Sequence, residues 1–162
     1  MSDTLLLGKS TNRLIIVGTG SLNARNCDEF RKQINQLLED EPLESVHLDL
    51  SECTYMDSTF LGVLVGIHKK NRQNRGNGLF VHKPSKPAQE HLESMGIHKI
   101  LTITSEPLDL PQNLEPCESK KTEHPQDILS AHQHLMDLSP ENRKRFAILA
   151  QVLENQIDHP DK

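Results

Sequence analysis

One stretch, residues 46–72 (VHLDLSECTYMDSTFLGVLVGIHKKNR), limits the possible folds of this chain more than any other. Val46, Leu48 and Leu50 alternate with His47 and Asp49, the period of a strand that buries one face. The composition predicts a short polar turn over 51–55, and then a helix that starts at Asp57 and Ser58. Residues 60–67 are apolar on nearly every side, so most of that helix's circumference should be buried. It closes on His68, Lys69, Lys70 and Arg72, which sets an acidic cap at the start and cations in the last turn, as the helix dipole favours. Gly62 and Gly66 share one face. Each costs about 1 kcal/mol relative to Ala in a helix interior, a cost that close backbone packing can offset. The hydroxyls of Ser58 and Thr59 are expected at the exposed N-terminal tip of this rigid helix, a place suited to a regulatory phosphate.

The rest of the chain supplies partners for that unit. Leu5, Leu6 and Leu7 precede a polar turn over 8–12, and residues 13–18 (RLIIVG) read as a strand that can form a hairpin with them. Gly18-Thr19-Gly20-Ser21 opens like a dinucleotide fingerprint but lacks the third glycine. Cys27, Phe30, Ile34, Leu37 and Leu38 give helical spacing over 24–40, and Pro42 prevents continuation. After a loop over 73–78 come a strand at Leu79-Phe80-Val81, a small helix from Pro87 or Ala88 to Met95, and Gly96 as its stop. Ile97, Ile100, Leu101 and Ile103 complete a last strand. Strands that alternate with helices imply a partly parallel sheet with right-handed crossovers.

Residues 1–104 therefore form the main domain. Residues 105–126, with Pro107, Pro111, Pro116 and Pro125, have linker composition. A helical extension over 127–158 follows. Ile128, Leu129, Leu135 and Met136 mark its first helix. Ser139-Pro140-Glu141 starts its second, with Phe146, Leu149, Val152, Leu153 and Ile157 on one face. Two short helices cannot bury their faces alone, so they either dock on the main domain or pair with another chain.

Charge and cysteine content narrow the function. Residues 105–162 hold 11 acidic and 6 basic side chains, while 1–104 are balanced at 12 of each. Neither part is a basic field for nucleic acid. The apolar run 60–67 is far short of the roughly 20 residues that span a bilayer. Cys27, Cys53 and Cys117 are odd in number and form no CxxC pair, which reads as free thiols in a cytoplasmic protein. His132 and His134 are two apart and diverge on a helix, so neither a metal nor a cofactor is expected. Ser58 lies in no Gly-x-Ser-x-Gly elbow and has no base recognisable in the sequence, which argues against an enzyme. Lys69-Lys70 and Arg143-Lys144-Arg145 read as solvated faces. Asp57-Ser58 is open to a simpler reading as a helix cap alone.

Met56-Asp57-Ser58-Thr59, followed by Leu61-Gly62-Val63, resembles the STAS domain, the sulphate-transporter and anti-sigma-factor-antagonist family, and the likeness runs over about residues 5–104. The resemblance implies a mixed β-sheet with helices on one side; it does not account for residues 105–162, so the C-terminal two-helix extension stands on the residue pattern alone. For the soluble bacterial members it further implies an anti-sigma factor antagonist that an anti-sigma factor/serine kinase phosphorylates and a serine phosphatase restores. Ser58 would be the acceptor, Thr59 a secondary site and Asp57 the adjacent acid. Asn23, Asp57, Ser58, Thr59, Phe60, Leu61 and Gly62 would form the partner-binding surface. Phe60 stands where the family commonly has Gly, beside the acceptor. Asn23 stands in a loop where the family often has an acid. The alternative is a constitutive STAS scaffold or a subunit of a signalling or transporter-associated complex. For the extension, self-association, inhibition in cis and a second protein contact are all left open by the sequence.

Overall fold

The computed structural model describes residues 3–117 and 124–160. Its strands are β1 (Thr4–Ser10), β2 (Arg13–Leu22), β3 (Ser45–Met56), β4 (Leu79–His82), β5 (Thr102–Thr104) and β6 (Glu115–Pro116). Its helices are α1 (Asp28–Asp40), α2 (Ser58–Gln73), α3 (Lys86–Ser94), α4 (Pro125–Met136) and α5 (Pro140–Asp158). The six strands form one mixed sheet in the order β5-β4-β3-β2-β1-β6. β1 pairs antiparallel with β2 and with β6, and β2 to β5 run parallel. The expected hairpin forms, but its turn is only Thr11 and Asn12: Gly8, Lys9 and Ser10 stay in the ladder, and Thr11 takes the positive φ of 60°.

The aliphatic core lies where the periodicity places it. Leu14, Ile16, Val46, Leu48, Leu50, Leu79 and Val81 of the strands pack with Phe30, Ile34, Leu38, Phe60, Leu61 and Leu64 of α1 and α2 in one buried cluster. Two sequence expectations change, over 51–55 and in the last strand. Residues 51–55 are not a turn, because β3 continues to Met56 beside β2. Two register shifts accommodate the polar stretch, and Cys53 and Met56 still point inward. The dinucleotide-like glycines lie inside β2, so no strand–turn–helix loop exists there to hold a phosphate. The last strand is shorter than expected, since Ile97–Lys99 form a 3₁₀ turn after Gly96, whose φ is +75°.

The 105–126 segment is less free than its prolines suggest. His82 Nδ1 lies 3.3 Å from the Glu106 carbonyl, and Pro111, Asn113 and Leu114 crowd Gly8. Gly8, Ile15, His47 and Phe80 are successive register partners, so the segment crosses the sheet face opposite the main core from the β5 edge to the β1 edge. There Glu115–Pro116 becomes β6, and the Cys117 N–H donates to the Leu5 carbonyl at 2.8 Å. Cys117 is thus partly buried against the core rather than exposed in a linker. His47, expected on an open face, is buried too, with its ring against Phe80, Ser45 and His82.

The extension docks on α2. α4 runs alongside α2 in the same direction: Ala131 meets Gly62, His134 meets Gly66, and Lys69 pairs with Asp137 at 3.5 Å. A Cβ on Gly62 would lie 2.1 Å from the Ala131 carbonyl oxygen, so glycine is what lets the two backbones touch. Arg31 of α1 bridges Asp28 and Asp127 at 3.4 and 3.1 Å. The Asn142 side chain donates to the carbonyls of Met95 and Leu135 at 3.0 and 2.8 Å, which joins α5 to the end of α3 and to α4. The buried side of α5 is Asn142, Phe146, Ala150 and Leu153. Leu149, Val152 and Ile157, expected on that face, are 37%, 46% and 36% exposed, and Ile148 is 79% exposed. The buried stripe is therefore narrower than expected: Phe146 and Leu153 lie on it, with Asn142 and Ala150 at the same spacing. Among the described residues, no helix is long and apolar enough to cross a membrane.

Candidate functional site

The site forms where β2 and β3 end side by side, Leu22 being the register partner of Met56. The next residue on each strand turns into a helix. Asp57 is the N-cap of α2: one carboxylate oxygen accepts from the Phe60 N–H at 2.9 Å, and the other accepts from the Ala24 N–H at 3.0 Å. Its own N–H donates to the Leu22 carbonyl at 3.0 Å. Asp57 therefore ties the two loops together as well as capping a helix. Asn23 belongs to the same junction. Its side chain caps the following 3₁₀ turn through the Arg25 N–H and reaches Ser21 Oγ at 3.2 Å, while Asn26 closes the capping box. The sequence-predicted pair Asn23 and Asp57 is thus brought together, with both side chains engaged by backbone.

Ser58 is the first residue of α2, and its hydroxyl meets a group that the sequence did not point to. Ser58 Oγ is 2.8 Å from His132 Nε2 on α4, across 74 positions of chain. His132 Nδ1 is 2.7 Å from the Ile128 carbonyl, which can only accept. The proton is thus assigned to Nδ1, and Ser58 donates to the lone pair on Nε2. His132 is 1% exposed, and its ring meets Phe146 edge-on at 4.9 Å. Ser58 and Thr59, expected at an exposed tip, are half-buried beneath α4. The helix end is not bare because the extension occupies the ground beside it.

Other expected contact residues lie deeper. Phe60 is fully buried and stacks on Phe30 at 5.6 Å, and Leu61 is 1% exposed. Both belong to the core, so neither side chain offers surface to a partner. Gly62 faces α4. The ring at position 60 therefore acts through the α1–α2 contact, where an apolar core has room for it.

A serine hydrogen-bonded to an oriented histidine has the first two members of a hydrolytic relay. The void that adjoins them, beside Thr59, is small: it measures about 20 Å³, the room of roughly one water molecule. The larger groove between α1, α2 and α4 is lined by Arg31, Lys69, Lys70 and His134 rather than by Ser58. Burial, and then Lys69, hold the His134 imidazole below its ordinary pKa, with Asp137 opposing. Among the described residues, no group of three or more His, Cys, Asp or Glu side chains could hold a metal ion.

A mixed sheet whose third strand leads through an aspartate cap into a buried helix that begins on a serine is the architecture of one domain family. The chain belongs to the STAS domain family, whose model matches residues 7–108. It is 30% identical over 90 residues to the anti-sigma F factor antagonist of Paenibacillus polymyxa, covering 56% of this chain and 76% of that one. The fold is shared with two solved structures. One is the anti-sigma factor antagonist SpoIIAA in its unphosphorylated form, with TM-score 0.56, 16% identity, and 63% of this chain on 89% of that one. The other is the Bacillus cell fate determinant SpoIIAA in the phosphorylated form, with TM-score 0.53, 16% identity, and 63% of this chain on 92% of that one. The family match ends before α4 and α5.

Proposed function

We propose that this protein is a cytoplasmic, non-enzymatic antagonist of an anti-sigma factor, controlled by phosphorylation of Ser58. Unphosphorylated, it binds an anti-sigma factor that is also its serine kinase; phosphorylated, it lets that partner go; a serine phosphatase resets it. The observation that carries this reading is the position of Ser58 directly after the Asp57 cap at the start of α2, in a chain whose relative is an anti-sigma F factor antagonist. That a SpoIIAA structure exists in a phosphorylated form supports it.

The physics of the switch is local. A phosphate adds about −1.5 to −2 charges near neutral pH. The helix N-terminus favours it by about 0.3–1 kcal/mol, and the Asp57 carboxylate next to it opposes it. The domain tolerates this balance, whereas a partner surface fitted against a neutral hydroxyl does not. A loss of about 3 kcal/mol is more than a hundredfold in affinity.

Full-length Ser58→Ala and Ser58→Asp proteins, used as bait and then titrated against the captured kinase, test the proposal. Ser58→Ala should bind at least a hundredfold more tightly than Ser58→Asp. Equal affinities would refute the switch. The hydrogen bond that holds the hydroxyl under α4 favours a second reading, a constitutive STAS scaffold or complex subunit, and equal affinities are its expected result.

A further inference from the structure

We propose that α4 and α5 form an intramolecular cap on the outer face of α2, latched by the Ser58–His132 hydrogen bond, and that this cap and a phosphate on Ser58 exclude each other. The proposal rests on the reading of Ser58 as the phosphoacceptor and adds its regulation: the extension competes with the kinase and the bound partner for the same surface.

Three observations carry it. First, the face of α2 that leads away from Ser58 is already occupied. The Ala131 backbone sits on Gly62 and the His134 ring on Gly66, so a kinase that reaches Ser58, or a partner that lies along α2, meets α4. Second, the occupant is held by contacts that can be exchanged as well as by apolar packing. Lys69–Asp137 and Arg31–Asp127 flank α4, and one hydrogen bond joins Ser58 to His132. Leu135 and Phe146 complete its seat in the core. Third, the latch has no slack. At 2.8 Å between Oγ and Nε2, a phosphorus and three oxygens cannot enter without pushing the ring back. His132 is backed by Phe146 of α5 and fixed through Nδ1 on Ile128, so the displacement passes to both helices.

Phosphorylation with a nucleoside triphosphate forms the Ser58 Oγ–P bond and breaks the bond from the γ-phosphorus to the bridging oxygen. Nucleoside diphosphate leaves, and the hydroxyl proton goes to the kinase's base. The product lacks the proton that Ser58 donated to His132, and it places a dianion against a buried ring. Cap release therefore accompanies modification, and the open cap is the state the kinase acts on.

Hydrogen–deuterium exchange on the full chain, without any partner, tests the cap separately from the switch. Phosphoserine is introduced at position 58 during translation, and the unmodified protein and Ala131→Trp, which pries α4 from Gly62, are run beside it. Amides of α4 and α5 should exchange at least tenfold faster in the phosphoserine and Ala131→Trp proteins, while those of β3 keep their protection. Unchanged protection of α4 in the phosphoserine protein would overturn the proposal. A chain that loses β3 protection as well is unfolded, and thiol labelling then decides. In protein carrying Ser58→Cys and Cys117→Ser, the thiol introduced at position 58 should react with a maleimide at least tenfold faster once Gly62→Ala, a smaller wedge at the same contact with Ala131, is added, and an equal rate would overturn the cap. Failure of the affinity titration with a cap that opens as described would refute only the partner switch.

Discussion

The two carboxylate oxygens of Asp57 accept from backbone N–H groups of different elements, Phe60 in the first turn of α2 and Ala24 in the 3₁₀ turn after β2, and this fixes where Ser58 begins α2. The sequence shows Asp57 and Ser58 because caps are local chemistry. His132 is invisible there: it lies 74 residues away, and neither its spacing to His134 nor its neighbours mark it. On α4 the two histidines do diverge, His132 to Ser58 and His134 to Gly66. A separate set of histidines sets the response to acid. His47 is buried beside Phe80, with Ser45 Oγ at 2.7 Å and His82 Nε2 at 2.9 Å. Burial, and then the positive potential of His82 and Arg13, bring its pKa down to about 4. Burial lowers His68 and His134 as well. A histidine depressed in the folded state binds protons first in the unfolded one. Its stabilising effect is therefore complete above the unfolded pKa of about 6.5 and is lost as pH falls through the window down to the folded value. Urea midpoints should fall steadily between pH 7 and pH 4, and His47→Phe, which keeps the stack on Phe80, should flatten the slope. Midpoints independent of pH over that range would contradict this assignment.

At the scale of elements, α2 explains most of what could and could not be read. A helix that is apolar all round belongs to a layer covered on both sides, and α2 is covered by the sheet on one side and α4 on the other. Its two glycines are the trace of that contact in the sequence. What covers them was not legible, since two docked helices and two helices paired with another chain leave the same pattern. β3 differs from expectation beyond Leu50 because strand pairing there is carried by backbone hydrogen bonds to β2, while Ser51, Glu52, Thr54 and Tyr55 face solvent. Likewise, the Pro-rich 105–126 segment looks like a linker by composition, yet part of it crosses the sheet and pairs as β6. Gly62→Ala separates propensity from packing. Propensity alone would stabilise the helix by about 1 kcal/mol. The new methyl would instead lie within 2.1 Å of the Ala131 carbonyl oxygen and push α4 away. A net loss of about 1–3 kcal/mol, read from the urea midpoint, is the expected result, and a gain would mean that α4 does not sit on α2.

For the whole molecule, the family domain and its extension share one core: Leu135 and Phe146 belong to the same buried cluster as Leu48 and Phe60. The chain crosses the open face of the sheet, adds an edge strand, and covers α2 with α4 and α5. The fold was legible as far as the family likeness reaches, because alternating strands and helices write their periods locally. The packing of the last two helices depends on contacts that the periods do not encode. The net charge of −5 falls within residues 105–162, but residues 125–158, which hold α4 and α5, carry only −2 of it, from five acidic and three basic side chains. Everything functional turns on whether the phosphorylation state of Ser58 decides if the partner is held. Phosphate occupancy at Ser58 reads this out, by mass spectrometry of the protein isolated from cells in two pools, partner-bound and free. Phosphate on Ser58 is expected in the free pool, with little in the bound pool; equal occupancy in the two pools, or none in either, would contradict the switch.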